Sequence, residues 1–141
     1  LNANLAKAIC SIGAVKGFEI GDGFSAARSQ GSVNNDVFTT DAAGHITKAT
    51  NHAGGILGGM SDSSEIIFRA AIKPTPSISR TQHTVTREGE PIDIQIKGRH
   101  DPIIVPRAVV VVQSMAALVL IDALMQNMTA RVDYLRDFYK N

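Results

Sequence analysis

The stretch GRHDPIIVPRAVVVVQSMAALVLIDALM, residues 98–125, decides how this chain is read. It opens with Arg99, His100, Asp101 and Arg107, punctuated by Pro102 and Pro106, and then turns almost wholly apolar. Pro106 suits the first turn of a helix, where a missing N–H costs nothing, so a long helix is expected from there past Asp122. A helix apolar on nearly every face belongs in a core, and charges set beside such an element are costly unless something partners them. Arginines grip carboxylates and phosphates through paired hydrogen bonds, and a helix N-terminus adds positive potential. The segment therefore reads as an anion-gripping site. The alternative is an internal network in which Asp101 pairs with Arg99 or caps the approach to the helix. His100 taken singly reads as structural.

Toward the N-terminus, Leu1, Leu5, Ala8, Ile9 and Ile12 fall on one helical stripe, with Gly17 placed to stop the helix. Residues 18–24 read as a short strand with glycine kinks. Residues 25–50 turn to Ser, Asn, Asp, Gly and Thr without a sustained period and read as a long polar loop. Residues 65–73 read as a strand ended by Pro74 and Pro76. Residues 82–87 and 91–97 read as a strand pair joined around Glu88 and Gly89. In the second of these, Ile92, Ile94 and Ile96 alternate with Asp93, Gln95 and Lys97, which predicts one buried face and one wet face. Residues 127–141 form a polar tail, either fraying or making a separate short helix. The fold class that results is α+β, with antiparallel strands covered by helices at each end.

Composition sets the outer limits. The 141 residues suffice for one core and a single domain. At 44% hydrophobic and 19% charged the chain is of the soluble globular class, not the disordered one. Fourteen Lys and Arg balance thirteen Asp and Glu, which argues against a nucleic-acid surface. Cys10 stands alone, so no disulfide framework or cysteine-rich zinc site can form within one chain; a reduced, cytoplasmic-type compartment is expected, with Cys10 a small buried hydrophobe. His45 and His83 show no metal-ligand spacing and read as surface residues; no metal is expected. No signal peptide opens residues 1–17. Gln113, Ser114 and Asp122 interrupt the apolar run after Arg107, so a core helix is expected in preference to a membrane span. The chain starts without methionine inside a helical pattern and reads as part of a longer protein.

Two further motifs carry chemistry. Paired glycines in NHAGGILGG, residues 51–59, either let a backbone approach a ligand or simply form a tight turn, the reading favoured on local pattern. In KPTPSI, residues 73–78, two prolines hold the segment extended and present Lys73, Thr75 and Ser77 with little freedom to lose on binding. Lysine with hydroxyls suits a phosphate or an isoalloxazine carbonyl. A proline-ended edge strand with a solvated lysine is the equally weighted alternative.

Five segments in order resemble chorismate synthase: SIGAVKGFEIGDGF from Ser11, GSVNND from Gly31, NHAGGILGG from Asn51, KPTPSI from Lys73, and GRHDP with PRAV from Gly98. They reach to about Leu124 and correspond to roughly the C-terminal two-fifths of a family chain. The resemblance implies an antiparallel β-sheet sandwich flanked by helices, assembled as a homotetramer. It implies a carbon–oxygen lyase acting on phosphates: 1,4-anti elimination of phosphate from 5-enolpyruvylshikimate 3-phosphate gives chorismate, in the shikimate pathway of aromatic amino acid biosynthesis. Reduced FMN is the implied cofactor, supplied by an external or NADPH-linked source, in a cytoplasmic protein with neither nucleic-acid nor membrane partners.

By position, the resemblance implies flavin contacts at Gly13, Ala14, Gly58, Lys73, Pro74, Thr75, Pro76, Ser77 and Arg99, and matches Asp101 to an aspartate near the flavin N5. Gly13 stands where many members have asparagine, Ile103 replaces a common cysteine and Gln113 a common glutamate. The family's two catalytic histidines and most substrate-binding arginines fall outside the matched part, so His45, His52, His83 and His100 do not take those roles. By itself the chain is expected to be inactive; the alternative is a non-catalytic flavin- or anion-binding structural module.

Overall fold

The computed structural model describes residues 1–140. In chain order it contains helix α1 (Asn2–Cys10), strand β1 (Val15–Ile20), a 3-10 turn (Gly23–Arg28), and strands β2 (Phe38–Thr40), β3 (Ile46–Lys48), β4 (Ile56–Leu57) and β5 (Met60–Ser61). Strands β6 (Phe68–Ile72), β7 (Gln82–Val85) and β8 (Pro91–Ile94) follow, then helices α2 (Val105–Met128) and α3 (Val132–Phe138). The α+β class stands. Among the described residues the strands form four two-stranded pairs, β1–β6, β2–β3, β4–β5 and β7–β8, all antiparallel.

The apolar stripe of α1 does what its spacing requires, and Leu5 and Ile9 are completely buried. Leu5 meets Ile56 and Ala116 of α2, with Phe18, Ile20, Phe68 and Val119 packed around them. Phe18 and Phe68 touch with ring centroids 5.4 Å apart. The β1–β6 pair is the platform under this core, pinned on its wet face by Arg69 Nε to Glu19 Oε1 at 2.8 Å. A bulge at Lys16 separates the pairs Val15–Ile72 and Gly17–Ala71. Gly17 therefore does not stop α1, which closes at Ser11 through amide bonds to Lys7 and Ala8. It serves inside the strand, where a Cβ would press on Ala71 at 3.3 Å.

The rest departs from expectation in two ways. Residues 25–50 are not a plain loop, because they carry the β2–β3 hairpin. Asp41 holds its turn by accepting from the amides of Ala43 and His45, both at 2.9 Å. Side-chain bonding to backbone replaces the hydrophobic period that marks longer strands. The second departure is burial. Ile92, Ile94 and Ile96 are about 40% exposed, α2 buries only Ala116, and Cys10 is exposed. Periodicity shows that a face is apolar, not what covers it, and among the described residues α2 packs chiefly against α1 and the cluster around Leu5 and Ile56. At 24 residues, α2 is also long and apolar enough to cross a membrane. The tail beyond it forms the short helix α3.

Candidate functional site

The sequence motifs of the two chain halves meet at the end of β6. The turn after α1 closes through the Val15 amide to the Ile12 carbonyl at 3.1 Å. It places Ala14 in the left-handed region, with φ 69°. The Ala14 carbonyl there accepts the Lys73 amide at 2.7 Å. Gly13 and Ala14 are thus tied to the first residue of KPTPSI. From Lys73 the chain runs extended, as two prolines dictate, with Lys73 exposed and Thr75 and Ser77 half-buried.

The β7–β8 hairpin then wraps the second half of this segment. Gln82 Nε2 donates to the Pro76 carbonyl at 3.1 Å, and Gln95 Nε2 to that of Ser79 at 3.2 Å. His100 Nδ1 lies 3.1 Å from Ser77 Oγ, and its Nε2 lies 3.0 Å from the Ile96 carbonyl. This contact carries the 98–101 loop onto Ser77 and sets Arg99 and Asp101 on either side of a fixed ring. Asp101 pairs with neither Arg99 nor the helix end. Its Oδ2 meets Arg107 Nη2 at 3.2 Å, and the N-cap of α2 is Ile104, without a side-chain cap. The pair is exposed on both sides, a setting in which ion pairs contribute about 0–1 kcal/mol, so the carboxylate stays available.

Gly58 stands apart. With Gly59 it forms the two-residue turn of the β4–β5 hairpin, and φ of 58° and 82° explains both glycines. The Gly59 carbonyl accepts the Leu1 amino group at 2.8 Å, so this turn sits at the start of α1 while Gly13 and Ala14 sit at its end. Nine residues of helix rise about 13 Å. Within this chain Gly58 is not brought to the Lys73 segment. The other glycine pair is a backbone crossing: a Cβ on Gly54 would lie 2.4 Å from the Gly21 nitrogen, and one on Gly55 2.4 Å from the Glu65 oxygen. Of the two glycine pairs, the second forms a tight turn and the first lets two backbone segments cross.

A polar knot that sequence reading missed closes the loop above this crossing. Asp36 accepts from Thr50 Oγ1 at 2.8 Å and from the amides of His52 at 2.7 Å and Ala53 at 2.9 Å. Burial pushes its carboxyl up, but the amides of Ala53 and His52 and the Thr50 hydroxyl outweigh that and hold it below the usual range. Asp22 Oδ2 meets Asn34 Nδ2 and His52 Nδ1, each at 2.8 Å. Beside the knot, Lys48 pairs with Asp62, both side chains largely buried. These partners lie far apart in sequence; only Asp36, next to two asparagines at the end of a glycine-started polar run, offered a hint.

The Lys73 face fits an anionic, hydrogen-bonding group such as FMN. Among the described residues no carboxylate pairs with Lys73 or Arg99. Uncompensated cations occur elsewhere on this surface; these two lie next to the contacts that join separate motifs, Lys73 through its amide bond to Ala14 and Arg99 beside the His100 ring held at Ser77 and Ile96. Two hydroxyls and a carboxylate complete the donor and acceptor set.

Comparison with known proteins identifies the family to which this fold belongs. The family model for chorismate synthase matches residues 1–125, and the chain belongs to that family. A chorismate synthase of Agathobacter rectalis is 67% identical over 99% of this chain and 38% of its own length. One from Archaeoglobus fulgidus is 59% identical over 93% of this chain and 37% of its own. A crystal structure of chorismate synthase superimposes with a TM-score of 0.68 at 32% identity, covering 90% of this chain and 30% of that one. The chain thus spans about two-fifths of the length of its curated relatives. Residues beyond 125 lie outside the family model, yet the A. rectalis alignment runs over 140 residues and includes them.

Proposed function

We propose that this chain is the C-terminal part of a single chorismate synthase domain and supplies one wall of its cofactor and substrate site. The reaction is the 1,4-anti elimination of phosphate from 5-enolpyruvylshikimate 3-phosphate to give chorismate. Family membership across residues 1–125 supports the activity; the observation that carries the site is the Ala14–Lys73 bond, which joins two separate family motifs into one face. Reduced FMN, when bound, supplies the electron that assists departure of phosphate. Lys73 and Arg99 hold negative charge at fixed positions and stabilise it without reorganising. Thr75 and Ser77 orient the bound group by hydrogen bonds, and Pro74 and Pro76 keep those bonds from being offset by lost chain freedom. Asp101 holds or accepts a proton at the flavin N5, a role its exposed, weakly paired carboxylate permits.

The apolar faces of α2 and of β8 fit a chain whose core is completed by the rest of a family-length protein. In that assembly α2 is a core helix, the strand pairs join an antiparallel sandwich flanked by helices, and the protein is a cytoplasmic homotetramer using flavin reduced by an external or NADPH-linked source. Asp122 favours this over a membrane span, since a carboxylate in lipid is costly. Gly58, at the far end of α1, reaches flavin only if another part of the assembly brings flavin to it.

The test is a chimera in which residues 1–140 replace the matching segment of a full-length relative. With dithionite-reduced FMN it should convert 5-enolpyruvylshikimate 3-phosphate to chorismate and phosphate, whereas the 141-residue chain alone should not. A folded, flavin-binding chimera without turnover would overturn the assignment; turnover by the isolated chain would overturn the division of the site.

A further inference from the structure

We propose that His100 is a positioning residue: through its ring it fixes the Ser77 hydroxyl as a hydrogen-bond acceptor, so that Ser77 receives an N–H or O–H donor of the bound cofactor, not an acceptor such as a phosphate oxygen or ring carbonyl. The inference rests on the flavin reading of the Lys73 face and refines the part Ser77 plays in it.

The chemistry follows from two distances. His100 Nε2 lies 3.0 Å from the Ile96 carbonyl oxygen. A carbonyl only accepts, so Nε2 carries the hydrogen. In a neutral imidazole the other nitrogen is then a bare acceptor, and Nδ1 stands 3.1 Å from Ser77 Oγ. With the ring neutral, the hydroxyl donates to it. Ser77 has one proton, and this bond uses it, leaving only lone pairs for whatever lies on its open side. The relay runs from Ser77 through the His100 ring to Ile96. Its ends are held: Pro76 and the bond from the Gln82 side-chain amide keep Ser77 in line, and Ile96 lies two residues beyond β8, next to Gln95, which bonds the Ser79 carbonyl. A free serine serves donors and acceptors alike; this one is committed. The flavin groups that match are a ring N–H or a ribityl hydroxyl, which share the donor chemistry.

The two amide replacements of histidine separate the alternatives in the chimera described above. Asparagine places its side-chain oxygen near the Nδ1 position and can still accept from Ser77. Glutamine reaches the Nε2 position and can still donate to Ile96, but abandons Ser77. With FMN affinity measured by flavin fluorescence titration, His100→Asn should stay within about twofold of the parent. His100→Gln and Ser77→Ala should each weaken binding about fivefold, the size of one hydrogen bond. The double variant His100→Gln/Ser77→Ala should be no weaker than either single one, since His100 acts only through Ser77. Additive losses, or retention by glutamine and loss by asparagine, would make His100 a support for Ile96 and overturn the proposal. If Lys73→Ala weakens binding but Ser77→Ala does not, the flavin face stands and this proposal falls. If neither changes affinity, the flavin reading falls and takes the proposal with it.

Discussion

The loop from Asp22 to Ala53 and the face from Ala14 through Lys73 to Asp101 are built from the same residue types and treat them in opposite ways. In the loop, Asp36 spends both oxygens on three donors, Asp22 holds Asn34 and His52, and Lys48 is buried against Asp62. In the face, Lys73 and Arg99 have no carboxylate partner among the described residues, and Asp101 keeps only an exposed contact with Arg107. In both regions hydrogen bonds tie the backbone to distant parts of the chain. A satisfied polar group on a fixed backbone holds a fold together; an unsatisfied one on a fixed backbone is ready for something that is not protein. The difference separates stability from binding more cleanly than residue type does.

The largest effect should come from the loop. In the chimera, Asp36→Ala removes the acceptor of three hydrogen bonds and leaves the amides of His52 and Ala53 without a partner. A loss of about 3 kcal/mol in unfolding free energy is expected, read by urea denaturation, with FMN affinity of the remaining folded protein little changed. An unaltered denaturation midpoint would break the comparison at its stable end.

Two lysines test the other end. Lys73→Ala should weaken FMN binding by about 1.5–3 kcal/mol, the range for a charge-assisted hydrogen bond, and barely alter stability. Lys48→Ala should do the reverse. Lys48 falls in the stretch that reads from sequence as a long polar loop; the structure puts it in β3 against Asp62, so its loss strands a carboxylate. Equal flavin affinities for the two variants would remove Lys73 from the site.

Asp101→Asn sharpens the functional end further. The amide keeps the size and much of the bonding to the surrounding loop but cannot take a proton. General-base contributions run to about 10²–10⁴-fold, and turnover at saturating reduced FMN and substrate should fall by at least about tenfold, with flavin affinity held. Near-normal turnover with weakened flavin binding would make Asp101 a partner of Arg107 and nothing more.

What could be read in advance follows the same division. The stripe of α1, the α2 start at Pro106 and the β7–β8 pairing were legible because each is a local pattern. KPTPSI was legible as a presenting segment because prolines act on their own neighbours. The Ala14–Lys73 bond was not, since it joins residues 59 positions apart that meet only when β1 and β6 pair, nor was the knot, whose partners Asp22 and His52 meet only after the glycine crossing at Gly21 and Gly54 is built. Burial was misjudged for Ile92, Ile94, Ile96, Cys10 and most of α2 because an apolar face announces a need for cover without naming its source. The separation of Gly58 from Lys73 was invisible for a related reason: a motif order says nothing about which end of a helix each motif reaches.

The smallest expected effect is in pH. The Lys48 ammonium bonded to Asp62, with the Ser64 amide, holds the Asp62 carboxyl down from 3.8 to about 2. A carboxyl depressed in the folded state binds its proton more readily when unfolded, so it contributes stability that is complete above about pH 4. That contribution is lost as pH falls toward 2, where protonation leaves Lys48 buried beside a neutral acid. Asp36 is lowered as well, as are Asp41, bonded by the His45 amide, and Asp133, bonded by Arg131. Their losses fall on the acid side too. Asp62→Asn should therefore flatten the fall in stability between about pH 4 and pH 2 without levelling it. Denaturation midpoints collected through that window measure the slope. Because Lys73 has no such partner among the described residues, Lys73→Ala should leave the slope where it was, and a matching change in both variants would mean that the two lysines are not in opposite states after all.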